Sequence, residues 1–173
     1  MMQTIVALSL YFSLAFGGAV NGLIGCRSLP TQQTTIVQDV PADTVITIER
    51  TACFGPCPMY KLAIYADGRV VYEGKNNVKQ TGKVESSITQ DKIRELVAAF
   101  EQIEYFKLKD RYSGQDCPQM WTDHPSAITS LTMNGKSKTV KHYYGCQGLE
   151  ILDRLTKLES KIDEAANVNQ WIK

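Results

Sequence analysis

Five cysteines are the residues of this 173-residue chain most able to do chemistry: Cys26, Cys53, Cys57, Cys117 and Cys146. Thiols can bind zinc, exchange electrons, carry lipid or close disulfides, and their spacing decides among these. Cys53-Phe54-Gly55-Pro56-Cys57 is C-x-x-x-C, not the C-x-x-C of thioredoxin-type redox sites. A zinc site that added His124 or His142 would need thiols that stay reduced. Set Cys26 aside and an even set remains, which in an oxidising compartment reads as disulfides. Four cysteines allow three pairings. Phe54-Gly55-Pro56 is a turn-forming insert that lets a short loop close on itself, so Cys53–Cys57 with Cys117–Cys146 is the favoured pair.

The other polar concentration is the loop Asp116-Cys117-Pro118-Gln119-Met120-Trp121-Thr122-Asp123-His124-Pro125. Asp123 beside His124 has the residue types of a general base and its orienting group, and Asp116 and His142 could join them. Neighbours in an extended loop point in different directions, however, and no serine or cysteine nucleophile stands at a fixed spacing from them. The plainer expectation is that Trp121 plugs the edge of the core, Asp123 caps a turn and His142 is a satisfied strand residue. Tyr60, Tyr65, Tyr72, Tyr143 and Tyr144 could share one sheet face as a stacking platform, or form ordinary cross-strand pairs. No nucleophile elbow, zinc-protease, phosphate-loop, dinucleotide or calcium-loop pattern is present. No cofactor and no metal site is predicted. The candidate catalytic residues are therefore Asp123, His124 and His142, and the candidate binding residues Trp121, Tyr65, Tyr72 and Tyr143.

These residues need a frame, and the charge distribution begins to supply one. Lys and Arg total 19 against 18 Asp and Glu, a net charge of +1 that lacks the basic face of a nucleic-acid binder. The 43% hydrophobic content suffices for a core. Met1–Gly25 carries no charged residue, and Thr4–Val20 is an apolar run of signal-peptide type. Leu23-Ile24-Gly25-Cys26 resembles the lipobox of bacterial lipoproteins, in which the cysteine thiol becomes a thioether to diacylglycerol. An uncleaved membrane helix and an ordinary secretory signal are the alternatives, and all three export the rest of the chain. The reading is thus a lipoprotein signal over 1–25, lipidation at Cys26, a tether over 26–43 and one domain over 44–173.

Within that domain, period-two alternation predicts strands at Thr44–Thr51, Met59–Ala66, Arg69–Glu73 and Val78–Glu85. Asp67-Gly68 closes a hairpin. Thr89 is the expected N-cap of a helix carrying Ile93, Leu96, Val97, Phe100 and Ile103 on one stripe. The pattern then repeats. Asn134-Gly135 joins strands at Ala127–Met133 and Ser137–Tyr143, and a helix comes next with Leu149, Leu152, Leu155, Leu158 and Ile162 on its apolar stripe. Two hairpin-plus-helix units of this kind predict an α+β fold, an antiparallel sheet with both helices on one face, stapled by disulfides.

Several of these stretches are similar to one uncharacterised bacterial domain family. Cys53-Phe54-Gly55-Pro56-Cys57-Pro58-Met59-Tyr60 resembles its C-F-G-x-C-P-x-Y opening. The likeness continues through Tyr65–Gly74, Cys117-Pro118, Trp121–Pro125, Gly135–Lys138 and His142–Cys146, and covers about Thr44 to Ile172. Members resemble exported proteins, often lipoproteins, and the family brings no catalytic residues. The functional expectation is a membrane-tethered binding or structural module of the cell envelope, with an envelope protein or glycan as partner. The alternatives are an envelope enzyme using the Trp121–His124 loop with His142, or a small inhibitor of a hydrolase.

Overall fold

The structure, a computed structural model, describes residues 39–173. The expectations for segment 1–25, for lipidation of Cys26 and for residues 27–38 of the tether lie outside the described residues. No helix among the described residues is long and apolar enough to cross a membrane.

The fold is α+β, as its alternation predicts. Strands β1 (Val45–Arg50), β2 (Met59–Tyr65), β3 (Arg69–Asn76) and β4 (Gly82–Ser87) precede helix α1 (Gln90–Gln102). Short strands β5 (Arg111–Tyr112) and β6 (Gln119–Met120) come next, then the hairpin β7 (Ser126–Met133) and β8 (Lys136–Tyr143). Strand β9 (Cys146–Gln147) leads into α2 (Ile151–Ala165) and the single-turn α3 (Asn169–Ile172). Seven strands form one sheet in the order β4-β3-β2-β1-β7-β8-β5, and β6 pairs with β9 apart from it. The sheet is antiparallel except at one edge, where β5 runs parallel to β8.

One face is dry. Ile46, Ile48, Leu62, Ile64, Val70, Tyr72, Leu131 and Val140 meet Ile93, Leu96 and Phe100 of α1 and Leu152, Leu155, Leu158 and Ile162 of α2 in a single core. Each buried side chain of this size contributes about 1.5–3 kcal/mol relative to exposure, so the two helical stripes decide which face is covered. Thr89 caps α1 as expected, its Oγ1 accepting the Lys92 N–H at 3.4 Å. Helix α2 stops where Asn167 turns left-handed (φ 52°), and Asn167 and Val168 N–H groups donate back to Glu164 and Asp163 carbonyls.

One turn forms as expected, and three other local expectations shift. The Asn134-Gly135 turn has positive φ at both residues, 53° and 69°, the two-residue hairpin geometry. At Asp67-Gly68 only Gly68 is left-handed (φ 92°), and its N–H donates to Tyr65 O. That is a three-residue loop, with Asp67 Oδ1 accepting the Arg69 N–H. Strand β4 starts at Gly82, not Val78, because residues 77–81 fold back over the core end, where Gln80 N–H donates to Trp171 O at 2.9 Å. Gly74 permits that approach, since a Cβ there would collide with Gln80 O. Ordered contacts also reach into the segment read as tether: Asp43 accepts the Asn134 and Gly135 N–H groups at 3.0 and 2.7 Å. Those two bonds hold its carboxyl below the ordinary aspartate range.

Candidate functional site

The chemistry-bearing residues gather at one end of the sheet, in two layers. The inner layer begins with sheet register. Tyr60, Arg50, Ala127 and His142 stand side by side on β2, β1, β7 and β8, all on the covered face. Ala127 is the small member, and its lack of a longer side chain leaves room for polar groups beneath α2. Glu159 and Asp163, one helical turn apart, descend into that space.

Every polar group there finds a partner. His142 Nδ1 lies 3.0 Å from Glu159 Oε1, and Tyr144 OH donates to Glu159 Oε2 at 2.6 Å. Arg50 donates through Nη2 and Nε to Asp163 Oδ2 at 2.6 and 3.2 Å, and through Nη1 to Tyr144 OH. Tyr60 OH donates to Asp163 Oδ1 at 2.7 Å. Burial opposes the Arg50 charge, but Asp163, Tyr144 and Tyr60 outweigh it and keep the guanidinium protonated. Burial raises the carboxyl of Asp163 above its ordinary range despite Arg50 beside it. Burial, aided by the adjacent carboxylates, also raises Tyr60 and Tyr144, so both phenols remain donors.

The outer layer is a pair of disulfide-closed loops. Cys53–Cys57 and Cys117–Cys146 are both formed, with Cα–Cα separations of 5.8 and 5.3 Å. The pairing is the favoured one. The loops touch: Phe54 N–H donates to Asp123 O at 3.2 Å. Trp121 N–H donates to Gly145 O at 2.8 Å, and Tyr143 OH donates to Trp121 O at 2.8 Å while accepting the His124 N–H at 3.2 Å. Gly145 must be glycine for this contact, because a Cβ would meet Trp121 O and the Tyr143 ring. Held this way, Phe54 is 90% exposed, Trp121 60% and Met120 52%. Trp121 therefore does not plug the core edge, and the Trp121, His124 and Tyr143 rings line up with centroids 6.2 and 6.4 Å apart.

The proposed catalytic set is not assembled. His142 is 3% exposed and bound to Glu159 on the helix side, whereas His124 is exposed and takes Thr122 O as its partner. Asp123 accepts the Thr122 hydroxyl, and Asp116 pairs with Arg111 and Lys109. Among the described residues no hydrogen bond or ion pair joins any two of these four. The tyrosine platform divides as well. Tyr60 and Tyr72 are buried, Tyr72 stacked on Trp171 at 4.6 Å, and Tyr144 belongs to the inner layer. Tyr72 cannot meet a ligand from there. Tyr65 stays on the open face with the Arg69 guanidinium 3.8 Å over its ring, at a distance from the Tyr143 loop. That open face holds a hollow of about 330 Å³ lined by Thr47, Glu49, Lys61, Ala63, Val71 and Ile128, and by none of the four candidate catalytic residues.

Glu159, Asp163 and Arg50 were not singled out from the sequence, yet each stood at a legible position. Glu159 is four residues from Leu155 and three from Ile162, inside the apolar stripe of α2. Arg50 follows Ile46 and Ile48 in the inward phase of β1, as His142 follows Val140 in β8. A charged residue in a core phase needs a partner of opposite sign, and that requirement is the signal.

The family described as Domain of unknown function (DUF6438) matches residues 44–166 of the chain. No curated protein matches it.

Proposed function

Because the chain belongs to the DUF6438 family of domains of unknown function over residues 44–166, we propose a role that rests on its own surface: an exported, lipid-anchored module of the bacterial cell envelope that binds a partner through its aromatic loop end. One observation carries the binding reading. Phe54, Trp121 and Met120 stand in solvent on loops that two disulfides, Gly145 and Tyr143 hold in place. Large apolar side chains exposed together on rigid loops cost solubility, and rigid aromatics are the groups that carry interface energy elsewhere. Preordering them lowers the entropy lost on binding.

Two further observations support the cellular setting. Two disulfides fit an oxidising compartment. The uncharged segment before Cys26 has the residue types of a lipoprotein signal. Two or more acyl chains would hold the domain at a membrane, which its net charge of +1 would not.

Mass spectrometry of the protein purified from a bacterial host tests the anchor: a mature chain beginning at diacylglyceryl-Cys26 is expected, and an intact Met1 terminus overturns it. Binding is tested by comparing wild type with Phe54→Ala/Trp121→Ala for retention of envelope proteins and glycans. The double variant is expected to lose at least one ligand that wild type retains; identical retention overturns the assignment of this surface.

A further inference from the structure

The two edges of the seven-stranded sheet are unequal. Strand β5 at one edge has two residues, whereas β4 at the other has six, exposed at all positions except the half-buried Val84. A free edge of that length is a template for another strand, and proteins ordinarily guard it with charged side chains, proline, a bulge or a covering segment. Of these β4 has only the charges Lys83 and Glu85. Residues Gly82–Ser87 contain no proline, and the β3–β4 register runs unshifted from Arg69↔Ser87 to Gly74↔Gly82. The charges on this edge are also unspent. Lys83 and Glu85 share the open face, and among the described residues neither enters an ion pair, although Lys83 lies opposite Glu73.

We propose that β4 pairs antiparallel with β4 of a second copy of this chain, about a two-fold axis at Val84. The backbone fixes which registers are open. Ile88 N–H donates to Gly68 O at 2.9 Å, and this pair continues the β3–β4 register. Bonded pairs with β3 therefore fall at Ser86, Val84 and Gly82, and the N–H and C=O groups of Lys83, Glu85 and Ser87 turn to the free side. A new ladder must bond through those three.

Charge then selects one register among them. Centring on Lys83 sets two lysines opposite each other, and centring on Glu85 sets two glutamates opposite each other. Centring on Val84 brings Lys83 against the partner's Glu85 and Glu85 against the partner's Lys83. Both are then bonded backbone pairs with opposite charges facing on one side of the sheet. Directly opposed cross-strand charges are favourable when opposite and unfavourable when alike. The interface is isologous, so one strand supplies both halves of the complementarity. Pairing of six-residue edges buries less than the roughly 1,200 Å² of a stable interface, which makes the dimer weak and concentration-dependent.

Sedimentation equilibrium of the full chain in density-matched detergent, from about 1 µM to about 1 mM, reads the dissociation constant across the weak range. Wild type is expected to dimerise reversibly. Lys83→Glu or Glu85→Lys alone should weaken the dimer about tenfold or more by placing like charges opposite each other. The double variant Lys83→Glu/Glu85→Lys should restore wild-type association. All three variants change exposed positions, so folding is checked simply by an unchanged circular dichroism spectrum. A wild type monomeric throughout the range overturns the proposal, as does a dimer indifferent to the single substitutions or a double variant that fails to recover. Val84→Cys adds a geometric check. Non-bonded antiparallel pairs bring Cα atoms to about 4.5 Å, within disulfide reach. Oxidation should give a covalent dimer through residue 84, and its absence contradicts the register.

Discussion

His142-Tyr143-Tyr144 and the loop around His124 use the same residue types for opposite ends. Tyr144 and His142 turn under the sheet to Glu159 and Arg50, where each polar side chain has a partner. Tyr143, between them in sequence, turns outward and props Trp121 and His124 in solvent. Strand alternation alone separates the two regions. The inner one behaves as a clamp between sheet and helix, and the outer one as a surface. The clamp also serves the surface, because Arg50 lies three residues before Cys53, and Tyr144 directly precedes the Gly145-Cys146 contact with the Trp121 loop.

The sharpest way to break this contrast is to unbalance the clamp. Glu159→Ala leaves Arg50 and His142 short of a buried carboxylate and is expected to cost about 3–5 kcal/mol, read from denaturant unfolding. A loss under about 1 kcal/mol would mean the cluster is solvated rather than buried. Next come the staples of the outer loops. Cys117→Ser with Cys146→Ser opens a loop of 29-residue separation, expected to cost about 3.5 kcal/mol on chain entropy. Removing Cys53–Cys57, of separation 4, costs about 2 kcal/mol on the same basis.

The pH response separates the carboxylate on α2 above the covered face from the one on the open sheet face by sign. Asp163 has a raised pKa in the folded chain. Its contribution is therefore full below the unfolded pKa and is lost as pH rises through the folded one. Glu49 is the reverse. Burial works against its charge, but Lys75 at 2.7 Å and Lys61 at 3.0 Å bring its pKa below the ordinary value. Its contribution is present above the unfolded pKa and is lost as pH falls through the folded one. The wild-type advantage over Asp163→Asn should thus shrink with rising pH, and that over Glu49→Gln should grow. Parallel unfolding series across the acid range check both slopes. The smallest effect belongs to the surface: Trp121→Ala should change stability by no more than about 0.5 kcal/mol, since an exposed side chain leaves little behind.

The sheet, both long helices and the disulfide pairing were legible because each rests on a local pattern: alternation, a 3.6-residue stripe, a turn-forming insert between cysteines. Period two also contained the division of the tyrosines. Tyr60 and Tyr72 share the phase of Leu62 and Val70, so their burial follows from the same rule that placed those residues. The polar clamp was harder. It joins residues up to 113 positions apart, and only the strand order β2-β1-β7-β8 brings Tyr60, Arg50 and His142 under one helix turn. Strand β5 and helix α3 were invisible for a different reason. Two to four residues hold too little pattern, and their shape comes from what they pack on, as Trp171 does on Tyr72.

The central claim is that the disulfide-held aromatic end is the surface the protein uses. A photo-reactive phenylalanine analogue placed at Trp121, and separately at Glu73 on the open sheet face, tests it in intact producing cells. The account predicts a discrete heavier adduct from position 121 and none from position 73. No adduct at 121, or the same adduct from both positions, would contradict it.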